Sequence, residues 1–207
     1  MKKFSILLIA VLISGITYGQ FHIGPQIGYT APNLSYKGSD ISNGLKNNML
    51  VGVFMRIGKK IYIQPEVNYM TQGSVFKFPS LGSTSVVEQD VSLKTIQVPL
   101  SLGWQILDLK VVKFRIFGGA TANFIVNKTI NTKNGNAKDY LLPSDFNDIQ
   151  WQYQVGAGID FLMLALDVKY YGGINDLFNG TVKYNSVTHT VAGSASAFEI
   201  TLGWKIL

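Results

Sequence analysis

Large apolar residues fall at every second position in SLGWQIL, residues 101–107, and again in TLGWKIL, residues 201–207. Leu102, Trp104 and Ile106 match Leu202, Trp204 and Ile206, with small or polar residues between them. A period of two is the mark of a β-strand with two unlike faces. The alternation recurs along the chain and predicts eight strands: 20–31, 46–58, 60–72, 93–107, 110–126, 149–162, 164–173 and 196–207. Runs such as Met49, Val51, Val53, Met55 and Leu164, Leu166, Val168, Tyr170 make one face, while Gln, Asn, Thr, Gly and scattered charges make the other.

The joins alternate in length. Short ones fall at Gly58-Lys59-Lys60, Asp108-Leu109 and Met163, and long polar ones span 32–45, 73–92, 127–148 and 174–195. Long irregular loops are unusual in a compact soluble domain. A short–long–short rhythm is expected of outer-membrane barrels, with tight periplasmic turns and longer extracellular loops. Pro65 and Pro99 lie inside the third and fourth strands, where a missing N–H predicts a bulge or an unpaired position.

Composition decides which solvent each face meets. Charged residues make up 14% of the chain, against about 25% in a typical soluble domain. No apolar run after the first segment approaches the ~20 residues of a spanning helix. Such a chain crosses a membrane, if it does, as a closed β-barrel. Its polar face is rich in Gly, Gln, Asn, Ser and Thr rather than Lys and Glu. Gly24, Gly28, Gly52, Gly103, Gly119, Gly156, Gly158 and Gly203 suit a crowded interior. The fold expected is therefore an all-β, eight-stranded antiparallel up-and-down transmembrane barrel with its polar face inward.

The first residues bear on location. Met1-Lys2-Lys3 is basic, Phe4 to Ile16 is an apolar stretch, and Thr17-Tyr18-Gly19 supplies small residues before Gln20. That layout predicts a signal peptide at 1–19, with the barrel domain at 20–207 and export to the outer membrane. Without Lys2 and Lys3 the formal charge falls from +6 to +4, a modest and dispersed excess that excludes a nucleic-acid groove. The chain has no cysteine, which excludes disulfides, thiolate metal sites and a cysteine nucleophile.

Nine charges fall on the inward face: Arg56, Lys113, Arg115, Lys169 and Lys205 against Glu66, Asp160, Asp167 and Glu199. Enclosed charges must pair. Counting from the short turns places Glu66, Arg115, Lys169 and Glu199 at mid-barrel and the other five nearer the periplasmic end. With Phe54, Tyr62 and Phe117 they are expected to close the lumen. Trp104, Trp151, Trp204, Tyr29, Tyr69 and Tyr170 are expected on the outer face at the membrane interfaces, where amphipathic rings settle.

The segments FHIGPQIGYTAPNLSY, GVFMRIGKKIYIQPEVNYMTQGS, LKTIQVPLSLGW, GAGIDFLMLALDVKYYGGINDLF and FEITLGWKIL resemble the PorT-family outer-membrane β-barrel proteins of the Bacteroidetes. The resemblance spans essentially the whole mature chain and implies an eight-stranded outer-membrane barrel. Some relatives take part in protein secretion linked to gliding motility. No catalytic residue carries over.

Other motifs resolve to structural roles. His22 and His189 lie at opposite ends of the chain, with His22 expected in the lumen and His189 in a loop. Neither has companion ligands at metal spacing. Asp139, Asp145 and Asp148 lack the spacing and glycine of a calcium loop. Asp160 and Asp167 form an acid–base pair only if the nearby cations leave them free. No phosphate loop, nucleophile elbow or zinc-protease motif is present. The expectation is a non-enzymatic barrel without cofactor or metal. Its partners would be outer-membrane lipid and an envelope or secretion-machinery protein, and its work envelope structure, surface binding or assistance to secretion. The alternatives are a narrow channel for small solutes and a soluble lipocalin-like ligand-binding barrel.

Overall fold

The computed structural model describes residues 21–36, 42–46, 48–78, 87–133, 147–175, 178–184 and 187–206. Residues 1–19, where a signal peptide is expected, lie outside them. The elements are β1 (Phe21–Tyr36), β2 (Ser42–Lys46), β3 (Asn48–Gly58), β4 (Ile61–Phe78), β5 (Val87–Asp108), β6 (Val112–Lys133), β7 (Ile149–Phe161), β8 (Leu164–Gly173), β9 (Phe178–Tyr184) and β10 (Val187–Trp204).

These ten strands make eight columns. β2 continues the line of β3 along β4, and β9 continues the line of β8 along β10. Every neighbour is antiparallel, in the order β1-β3-β4-β5-β6-β7-β8-β10, and β1 pairs with β10 from Gln26↔Gly203 to Tyr36↔Gly193. The sheet is thus a closed eight-stranded barrel, which has no open edge through its middle.

Alternation sets the two faces. Side chains such as Ile27, Val51, Ile116, Val155, Val168 and Ile200 stand exposed on the outer wall. Their neighbours Gln26, Gln64, Gln97, Thr121, Gln154 and Thr201 are buried inside. A soluble lipocalin-like barrel needs the reverse arrangement, with apolar residues inside, so that alternative is set aside.

The strands run well past their predicted ends. β4 and β5 pair from Ile61↔Trp104 up to Phe78↔Val87, and β5 and β6 up to Glu88↔Lys133. Much of each long connection expected at 32–45, 73–92, 127–148 and 174–195 is therefore strand. Backbone hydrogen bonds pair these ribbons. His189, expected in a loop, lies in β10 opposite Val182.

The two prolines interrupt pairing where expected. Between β4 and β5, Pro65↔Leu100 is followed by Asn68↔Gln97, with no pair for the two residues between. Between β3 and β4 the pairing lapses from Phe54↔Glu66 to Ile57↔Ile63. A proline has no N–H to give to the ladder. Two register shifts in β5, at Lys94/Thr95 and Gln105/Leu107, add local twist.

Candidate functional site

The lumen gathers the inward-facing charges into two layers. In the layer toward the short turns, Asp160 is the hub. Its Oδ2 accepts from Arg56 Nη1 at 2.7 Å and lies 3.2 Å from Lys205 Nζ, while its Oδ1 lies 2.8 Å from Arg115 Nη2. The same Arg115 nitrogen donates to Asp167 Oδ1, and Arg115 Nη1 donates to the Tyr62 hydroxyl at 3.1 Å. The Tyr62 ring sits between the two guanidiniums, 5.0 Å from that of Arg56 and 5.8 Å from that of Arg115. Such cation–π contacts strengthen when shielded from water.

The second layer is drier still. Lys169 Nζ donates to both oxygens of Glu66, at 2.8 and 2.6 Å, and lies 3.7 Å from Glu199 Oε1. Glu199 also accepts from the Tyr171 hydroxyl at 3.1 Å and from Thr30 at 3.3 Å. Lys169, Glu199 and Tyr171 have no measurable exposure, and Glu66 has 1%.

Amides join the layers. Arg56 Nε donates to Gln64 Oε1 at 2.7 Å, and Gln64 Nε2 donates to Glu66 Oε1 at 2.8 Å. Gln26 Nε2 donates to Glu66 Oε2 and to Asn68 Oδ1, and Asn68 Nδ2 donates to Gln97 Oε1. The layers differ from the expected heights in two respects, and the first is that Arg115 pairs with the carboxylates of the lower layer, not with Glu66. Lys113 stands apart, 3.7 Å from Asp108 at the rim and partly exposed. The strand ladder accounts for this, because Lys113 faces Asp108 across the turn, two residues below Arg115.

The glycines make room for the aromatic part of the lumen. A Cβ on Gly103 would collide with the Tyr62 ring, one on Gly203 would lie 2.6 Å from Phe54 Cε1, and one on Gly156 would strike the Phe117 ring. The two LGW segments thus share a reason for their glycine as well as for their tryptophan. Each glycine receives an inward aromatic ring from another strand while Trp104 and Trp204 stand exposed outside. Trp151, Tyr29 and Tyr69 are also exposed on the outer wall. Tyr170 packs at 5.1 Å on Phe198 and 6.3 Å from Tyr153.

Inspection for single charged residues misses the uncharged members of this network, Gln26, Gln64, Asn68, Gln97 and Tyr171. Strand parity would have found them, since each stands at an inward position. One side of the wall is less complete. Thr95 Oγ1 on β5, Thr121 Oγ1 and Asn123 Oδ1 on β6, and Gln150 Nε2 and Gln154 Oε1 on β7 are buried without a protein partner.

The chemistry open to this site is limited. Asp160 and Asp167 are both engaged by arginine, so neither is poised as a free acid or base. Among the described residues no group of three His, Asp or Glu side chains is arranged to hold a metal. Asp148 accepts from Lys128 at 2.7 Å, while Asp139 and Asp145 lie outside the described residues. His22 is half-buried near the short-turn end.

Comparison with known proteins agrees with the closed barrel. Residues 14–179 match the family described as outer membrane protein beta-barrel domain. No curated protein sequence matches the chain. Among solved structures, the outer membrane protein OprG from Pseudomonas aeruginosa is similar, with a TM-score of 0.60 and 11% identity over 91% of this chain and 96% of that one. The outer membrane protein AlkL, solved in lipid bilayers, has a TM-score of 0.50 and 14% identity over 91% and 92% of the two chains.

Proposed function

The chain belongs to the outer membrane protein beta-barrel domain family, and from that premise we propose that it is a non-enzymatic barrel with a plugged lumen. It resides in the outer membrane, with the short turns in the periplasm and the long connections outside. The observation that carries the plugged reading is the double ion-pair layer. Arg56, Arg115, Lys169 and Lys205 meet Glu66, Asp160, Asp167 and Glu199 inside the barrel. An eight-stranded barrel is narrow enough for side chains to fill.

A closed interior moves function to the rims. The extracellular ribbons would present a binding surface, or the barrel would brace the envelope or assist a secretion machine. Placement within the PorT family of the Bacteroidetes, supported by the segments quoted above, favours the last role. Export would depend on a signal peptide at residues 1–19. Trp104 and Trp204 would stand in the periplasmic leaflet, with Tyr29, Tyr69, Trp151 and Tyr170 toward the outer interface.

Planar-bilayer recording tests the plug. The purified barrel should insert without large steady openings, and sustained conductance would overturn the proposal. A narrow channel for water-sized solutes is the second reading. It is favoured by the unpartnered polar atoms of Thr95, Thr121, Asn123, Gln150 and Gln154, which entering water would satisfy. Flicker conductance abolished by apolar replacement of Thr121 and Gln154 would support it.

A further inference from the structure

The periplasmic turns carry an apolar ledge. Turns that face water favour Gly, Asn and Asp, yet the tips here are Leu109 and Val111 between β5 and β6, and Leu162 and Met163 between β7 and β8. Leu162 is 65% exposed and Met163 62%. Leu162 also adopts φ 53°, a region that a bulky side chain rarely enters. Gly or Asn would relieve that backbone, so an apolar side chain is kept at a conformational cost.

Backbone hydrogen bonds fuse the tips into one rim. Gln105 N donates to Lys60 O at 2.7 Å, Leu162 N to Val111 O at 3.2 Å, Lys205 N to Met163 O at 2.7 Å and Ile206 N to Ile23 O at 2.9 Å. Directly above the tips the outer wall is already apolar, with Ile106, Phe161, Leu164 and Trp204 exposed. Beside them Lys59, Lys60 and Lys110 are exposed. The nearby carboxylate, Asp108, is engaged by Lys113 and by the Lys110 amide.

We propose that the β5–β6 and β7–β8 turns are seated in the inner-leaflet lipid, with Leu109, Val111, Leu162 and Met163 below the headgroups. The occupant is phospholipid because the ledge is continuous with the lipid-facing wall and its flanking lysines complement lipid phosphates. The neighbouring join, Gly58-Lys59-Lys60, carries no such tip and stays at the headgroup level. The barrel therefore sits deeper on its β5–β8 side. The proposal rests on membrane insertion and is indifferent to whether the lumen conducts.

The absence of native cysteine allows a direct test on the full barrel. Met163→Cys, Leu109→Cys, Lys59→Cys and, as a wall control, Val168→Cys would each carry a bimane label. Each variant would be reconstituted in phosphatidylcholine–phosphatidylglycerol vesicles with iodide on both sides, and its folded state checked by heat-shifted gel migration. Labels at Met163→Cys and Leu109→Cys should be quenched by brominated acyl chains and shielded from iodide, as at Val168→Cys. Lys59→Cys should show the opposite pattern. Iodide reaching Met163→Cys as freely as Lys59→Cys, with Val168→Cys still shielded, would overturn the seating and leave the ledge to a periplasmic protein. Iodide reaching Val168→Cys in a folded barrel would instead overturn membrane insertion itself.

Discussion

Glu66 is the residue on which the upper layer turns, because Lys169, Gln26 and Gln64 all donate to it in a dry site. Removing one member of a buried ion pair strands the other, at a cost of about 3–5 kcal/mol. Glu66→Gln and Arg115→Met should therefore lower the urea midpoint of unfolding strongly, whereas Lys94→Met, on an exposed side chain, should leave it nearly unchanged. Equal midpoints for the three variants would remove the ion pairs from the account of stability. Gly103 makes a second test at this scale. A Cβ there must displace the Tyr62 ring from between Arg56 and Arg115. Gly103→Ala should cost about 1–3 kcal/mol as an overpacking change, and Tyr62→Ala in the same chain should recover part of it.

At the scale of the strand, parity assigns each position to lipid or lumen. Val168 on β8 is exposed on the outer wall, midway along the strand, and Ile174 lies just past its extracellular end. Val168→Arg should cost about 2–4 kcal/mol, and Ile174→Arg about 0–1, following the depth dependence of charge on a barrel's lipid face. Equilibrium unfolding in lipid vesicles measures both, and equal costs would place one of them at the wrong depth. The strands themselves differ in how visible they were. β7 and β8 run Ile149–Phe161 and Leu164–Gly173, against predictions of 149–162 and 164–173. Each is an alternating segment ended by a tight turn or by the first polar residues beyond it. β5 and β6 run many residues further than predicted. Their outer parts pair through the backbone ladder, and apolar residues do not fall at every second position there.

Across the whole molecule the two ion-pair layers stand in series. On the proposed plug either layer alone blocks the lumen, so dismantling the lower layer with Arg56→Ala, Tyr62→Ala and Arg115→Ala should leave single-channel conductance near that of the parent barrel. Adding Glu66→Ala and Lys169→Ala should open it. Conductance appearing already after the first set would mean that the upper layer is no barrier. Closure of the wall through β1 and β10 holds the upper layer in place, because Glu199 comes from β10, Thr30 from β1 and Lys169 from β8. What the sequence by itself determined is the set of local contrasts. Alternation named eight strands and their two faces, and the scarcity of charge placed the polar face on the inside. The three short joins set the up-and-down order. These are legible because each depends on residues one or two apart. Only the tertiary structure decided which inward charge meets which. Arg115 reaches Asp160 and Asp167 instead of Glu66, Lys113 is left at the rim, and the amide of Gln64 joins the layers. The physical reason is that these partners lie up to about half the chain apart. They become neighbours only when the tilt and stagger of a closed barrel bring distant strands to one height.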